Sequence, residues 1–139
     1  MKKYLFVLLA AGMITACNSA DKKTDEATTV ATGNATAIKF DEESFDFGKV
    51  TDGEKVSHAF KFTNDGDSPL IISNAVASCG CTTPEWPKSP VLPGKTGEIS
   101  VTFNSAGKQG LQDKLITVTA NTNPAQNVVH LVGEVLTKK

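Results

Sequence analysis

The sequence predicts an all-β fold. Short β-rich runs alternate apolar and polar residues, turn residues recur between those runs, and nothing after residue 37 reads as a long amphipathic helix.

Ile38 to Phe40 and Phe45 to Val50 are the first two strand candidates. Between them, Asp41-Glu42-Glu43 reads as a solvated turn, since its carboxylates lack the fixed alternation of oxygen ligands in a calcium loop. Thr51-Asp52-Gly53-Glu54 supplies turn chemistry before the clearest strand, in which Val56, His58, Phe60 and Phe62 alternate with Ser57, Ala59, Lys61 and Thr63. Asn64-Asp65-Gly66-Asp67 then turns the chain into Leu70 to Ala77. A long connection from Cys81 to Pro93 follows, with Trp86 held between Pro84 and Pro87. Leu92-Pro93-Gly94-Lys95 precedes the second clear alternation, Ile99-Ser100-Val101-Thr102-Phe103. Ala106-Gly107 and Asn123-Pro124 punctuate the last two candidates, Lys114 to Ala120 and Asn127 to Val135.

Seven short strands in about 100 residues argue for one antiparallel β-sandwich of immunoglobulin-like type, spanning residues 38–139. A small barrel is the alternative, which periodicity does not separate from a sandwich.

Ahead of this domain, Lys2 and Lys3 precede an apolar stretch from Tyr4 to Ala11, and Ile14-Thr15-Ala16-Cys17 closes it. That layout is a secretory signal peptide. Its last four residues resemble a bacterial lipobox, which implies cleavage after residue 16 and acylation of Cys17. The apolar stretch is too short for a transmembrane helix, which needs about 20 apolar residues. Two or three acyl chains, at about 0.8 kcal/mol per buried methylene, give stable attachment where one does not. Residues 17–37 are rich in Ala, Thr, Asp and Lys, bury too little apolar surface to order themselves, and read as a flexible linker.

Without its leader the chain carries 12 Lys against 15 Asp plus Glu, a formal charge of 12 − 15 = −3, and it contains no Arg. Neither a basic stripe nor a bidentate phosphate ligand is present, so nucleic acid is not an expected partner. There is no Gly-x-Ser-x-Gly elbow, no His-Glu-x-x-His and no glycine-rich phosphate loop, and no enzymatic activity, catalytic residue, metal or cofactor is expected.

Once Cys17 is acylated, Cys79 and Cys81 are the remaining thiols. In an extended strand, residues two apart lie about 6.6–6.8 Å between Cα atoms, beyond the preferred disulfide separation, so a bridge requires a bend at Gly80. Such a bridge is strained and more readily reduced. Three readings stay open for the pair: a structural disulfide or buried thiols, a redox-active pair, and a Cu(I) site. His58 and His130 are the histidines available to complete a metal site, and each lies in a strand pattern that makes it a packed or rim side chain. Trp86 is the candidate partner-binding residue, with coverage of one end of the core as its structural alternative.

Phe45-Asp46-Phe47-Gly48-Lys49-Val50, Gly53-Glu54-Lys55, Phe60-Lys61-Phe62-Thr63-Asn64-Asp65-Gly66, Ser78-Cys79-Gly80-Cys81-Thr82-Thr83-Pro84 and Pro93-Gly94-Lys95 resemble the bacterial family called domain of unknown function 1573. The resemblance runs from about Ile38 to Val135, and Cys-Gly-Cys-Thr is its most specific element. It implies an immunoglobulin-like module of the type found in major sperm protein and pilus-chaperone domains, exported or lipidated in a Gram-negative bacterium. It implies no activity. Asn18 stands where an inner-membrane retention signal would place Asp, which favours the outer membrane.

The expectation is therefore a lipid-anchored cell-envelope protein, a non-enzymatic binding or assembly module that meets an envelope protein through edge strands and end loops. The alternative is a thiol redox or copper-handling protein working through Cys79 and Cys81.

Overall fold

Two four-stranded sheets face each other around a core of phenylalanine and branched aliphatic side chains. The computed structural model describes residues 36–138. Cys17, the leader of residues 1–16 and most of the linker of residues 17–37 lie outside the described residues.

The strands are β1 (Ile38–Phe40), β2 (Ser44–Thr51), β3 (Lys55–Asn64), β4 (Ile72–Ala77), β5 (Thr82–Glu85), β6 (Thr96–Asn104), β7 (Gly110–Ala120) and β8 (Gln126–Leu136). One sheet runs β1-β3-β6-β5 and the other β2-β8-β7-β4, a sandwich and not a closed barrel. The period-two runs become central strands because both faces of their alternation are used. Phe60, Phe62, Ile99, Val101 and Phe103 point inward and are fully buried, while Ser57, Lys61, Glu98 and Thr102 stand on the outer face.

Two features correct the sequence reading. An eighth strand, β5, lies within the connection expected to be irregular; it is short, contains Pro84, and exists by pairing antiparallel with β6. The sandwich is also not wholly antiparallel, because β2 pairs parallel with β8, Phe45 opposite Leu131 and Val50 opposite Val135. Chain connectivity explains the parallel pair. The chain crosses from β1, an edge of one sheet, to β2, the facing edge of the other, and so keeps its direction next to β8.

The opposite side repeats this move, since β4 and β5 are the facing edges there and the chain passes directly from one to the other. Each side of the sandwich is thus closed by a covalent crossing. At the first crossing Asp41 donates its N–H to the Lys61 carbonyl of one sheet, and Glu43 accepts from the His130 N–H of the other. The Cys-Gly-Cys run forms the second.

Buried polar side chains fasten the ends. Ser105, fully buried at the end of β6, donates from Oγ toward the carbonyls of Thr51 and Glu54 in the β2–β3 turn, at 3.0 and 2.7 Å. Asn64, fully buried at the other end, bonds the Ser68 and Val91 carbonyls and the Gly66 N–H.

Candidate functional site

β4 ends at Ala77, and Ser78 makes the last bond to its sheet, donating its N–H to Leu115 O at 2.8 Å. The first bond to the other sheet comes three residues later, where the Asn104 N–H donates to Cys81 O at 2.9 Å. Cys79-Gly80-Cys81 therefore spans the gap between sheets. The two cysteines are joined by a disulfide, and their Cα atoms lie 5.3 Å apart, closer than an extended chain would place them. The turn at Gly80 supplies the bend, and the Thr82 N–H closes it on Cys79 O.

Thr82 is one of three buried polar residues among those described, with Asn64 and Ser105. Its Oγ1 lies 3.6 Å from Cys79 Sγ and 3.9 Å from Cys81 Sγ. A bridged sulfur carries no proton, so in either contact the single hydroxyl proton is the one donated. Sequence reasoning did not single out Thr82; its signal is its place in the Cys-Gly-Cys-Thr run.

Beside the corner an open cavity of about 310 Å³ lies on the outer face of the β3-β6-β5 strands. It is lined by Thr83, Thr102 and Asn104, by Gly80 and Cys81 of the corner, and by Lys55 and Lys108. No carboxylate lines it. Among the described residues neither lysine makes an ion pair; the lysine that does is Lys49, with Glu134.

The histidines are engaged elsewhere. His58 Nε2 contacts Glu42 Oε1 at 2.9 Å, and its ring stacks on Phe45 with centroids 3.7 Å apart, on the β1–β2 side of the sandwich, away from the cysteines. His130 Nδ1 contacts Asp113 Oδ1 at 3.0 Å on an outer face. The described residues contain no group of three or more His, Cys, Asp or Glu placed to hold a metal ion. In the bridged state neither sulfur is a thiolate, the form that ligates a soft metal.

Trp86 packs against the core from the segment after β5, and Lys88 Nζ lies over its ring, 3.1 Å from the centroid. Its Nε1 is buried and has no hydrogen-bond partner within the described residues. The indole is half-buried and also lines an open depression with Glu85, Pro87, Glu98 and Ser100.

The second distinctive surface is the outer face of β2-β8-β7-β4. Exposed large aliphatic side chains concentrate there: Val76 and Val128 flank Thr117 across the strands, and Leu115 lies beside them on β7. Leu111, 88% exposed, and Leu136 extend the same face toward the other end. The outer face of the β1-β3-β6-β5 sheet carries Ser, Thr, Lys and Glu instead.

A crystal structure of a protein of unknown function from Porphyromonas gingivalis W83 superposes with a TM-score of 0.66 at 16% identity, over 78% of this chain and 51% of that one. The ASH/PapD-like domain 7 of human CEP192 gives 0.61 at 10% identity, over 94% of this chain and 99% of that one. The secreted serine protease VesC from Vibrio cholerae gives 0.56 at 13% identity, over 73% of this chain. This chain spans about half the length of the Porphyromonas protein and 23% of the protease. These likenesses establish an immunoglobulin-like, PapD-like fold and carry no activity. No curated protein matches the sequence. The family model described as protein of unknown function (DUF1573) matches residues 38–135, and the chain belongs to that family.

Proposed function

We propose that this protein is a lipid-anchored binding module of the cell envelope, non-enzymatic, that docks a partner protein on the outer face of its β2-β8-β7-β4 sheet. The single observation that supports it is the asymmetry of the two outer faces. Val76, Leu115 and Val128 form an apolar centre, with Asp113–His130 and Lys49–Glu134 as polar pairs beside it, the layout of a docking patch with a rim.

Strand addition is a weaker mechanism than face docking, because every edge is guarded. β1 has three residues, β5 has four and includes Pro84, and β2 and β4 each carry a register shift, between Asp46 and Lys49 and between Ile72 and Asn74. The lipid anchor and envelope location are supported by the leader and the lipobox ending at Cys17, and the outer membrane by Asn18 standing where a retention signal would place Asp.

Photocrosslinking in intact cells tests the docking face. A crosslinker at Val76 or Val128 is expected to give a discrete adduct, and one at Ser57 or Thr102 on the polar face is not. Equal labelling from both faces, or none from either, rejects the assignment. A second reading, thiol chemistry at the corner, is favoured by the lysine-lined cavity against Cys81.

A further inference from the structure

The Cys79–Cys81 bridge contributes little to holding the fold together. Loop-closure entropy for a ring of three residues stabilises by about 1.6 kcal/mol, against about 3 for a loop of 15, so this bridge is among the weakest staples a chain can form. It also joins no distant segments. What sets it apart is its surroundings, a cavity lined by no carboxylate and by two lysines that make no ion pair among the described residues, opening beside one of its two sulfur-bearing residues.

We propose that this cavity is a binding site for a small anionic thiol, which exchanges with the Cys79–Cys81 disulfide at Cys81. The proposal is independent of the docking face. Cys81 lines the cavity and Cys79 does not. Lys55 stands at the start of β3, opposite Asn104, and Lys108 lies in the β6–β7 turn, so two lysines from separate segments line the same cavity as Cys81. A carboxylate or sulfonate on the incoming molecule is held by these charges and by the hydroxyls of Thr83 and Thr102. At about 310 Å³ the space lies at the small end of ligand sites, which suits a small molecule.

The chemistry balances within the components named. The incoming thiolate attacks Cys81 Sγ, a new S–S bond forms, and the Cys79–Cys81 bond breaks with its electron pair going to Cys79 Sγ. The departing thiolate finds a donor already in place, Thr82 Oγ1, at 3.6 Å. A second anionic thiolate then attacks the outer sulfur of the mixed disulfide, releasing the small-molecule disulfide and leaving Cys81 as thiolate. Two electrons pass from two small thiols to the protein bridge, and the resulting thiolates take protons from water.

The test uses the full chain, oxidised, with three probes: mercaptoethanesulfonate, mercaptoethanol and cysteamine, which are anionic, neutral and cationic. Rates are compared per unit of thiolate, with alkylation of the freed cysteine and peptide mapping of the adduct. The expected order is anionic over neutral over cationic, with about a tenfold spread between the extremes, and with the adduct on Cys81 and the alkyl label on Cys79. The spread is expected to fall to about twofold or less in Lys55→Ala/Lys108→Ala, and also in the native chain at about 1 M salt, where screening is nearly complete. Equal rates for the three probes, a spread indifferent to both lysines and salt, an adduct on Cys79, or no adduct at all overturns the proposal.

Discussion

Asn64 donates from Nδ2 to the carbonyl oxygen of Val91 at 2.8 Å, joining turns 27 positions apart. The same amide bonds Ser68 O, and its Oδ1 accepts from the Gly66 N–H, so one fully buried side chain satisfies groups in two loops. Asn64→Ala removes all three bonds at once and is expected to cost about 2–3 kcal/mol, a fall in melting temperature of roughly 10 °C or more. Thermal unfolding followed by circular dichroism measures it; a shift under about 3 °C shows that the turns hold without the pin.

Gly97 faces Phe62 across the β3–β6 ladder, and a Cβ placed there would collide with the tip of the Phe62 ring. Phe62 is fully buried and already contacts Phe40 edge to face, so any shift of the ring disturbs packed neighbours. Gly97→Ala is expected to destabilise by about 1–3 kcal/mol. Adding Phe62→Leu to that variant should cost clearly less than Phe62→Leu in the native chain, because it relieves the collision. Additive effects in a denaturant double-mutant cycle would locate the strain elsewhere.

Replacing both cysteines, Cys79→Ser with Cys81→Ser, is expected to cost no more than about 1.6 kcal/mol, less than Asn64→Ala. Urea midpoints of the two variants decide the ranking. A larger loss for the cysteine pair means that the bridge organises the β4–β5 crossing beyond its entropic effect.

Thr82→Val keeps the shape of the buried side chain but removes the donor beside both sulfurs. Exchange with all three thiol probes should slow by a common factor of about three to ten, leaving the preference for the anionic one intact, and Thr82→Ser should restore most of the rate. A change in preference, with no common slowing, would assign Thr82 to binding instead of to the leaving sulfur.

Intact mass spectrometry of protein from its native membrane should give residues 17–139 plus acyl chains, and Cys17→Ala should move the protein to the soluble fraction. An unacylated mass from the native chain removes the anchor.

The alternating runs around Phe60 and Val101 were legible because one face is buried and the other wet, so the side chains record the period of the backbone. β5 left no such record: Thr82-Thr83-Pro84-Glu85 has few apolar residues and is a strand through its bonds to β6. The parallel pairing of β2 with β8 joins segments at opposite ends of the domain, and local pattern carries no information about partner choice at that distance. Asn64 was read as a turn residue from its type, yet the tertiary fold buries it. At the corner the run Cys79-Gly80-Cys81 offered a bridge as one of three readings and tied that reading to a bend at Gly80, which the structure shows. The cavity was not legible, because Lys55 and Lys108 reach it from two separate loop edges.

The parallel β2–β8 pair has a mechanical side. Ile38 enters opposite Asn64 at one end of the sandwich, and Leu136 leaves opposite Thr51 at the other. Tension applied between those points draws the start of β2 and the finish of β8 in opposite directions along their shared ladder. Its hydrogen bonds are then strained together in shear, instead of parting one after another as in a hairpin peeled open from its free end. A domain held by its leading end and tugged through its trailing one would resist extension like a lap joint, and not open like a zip.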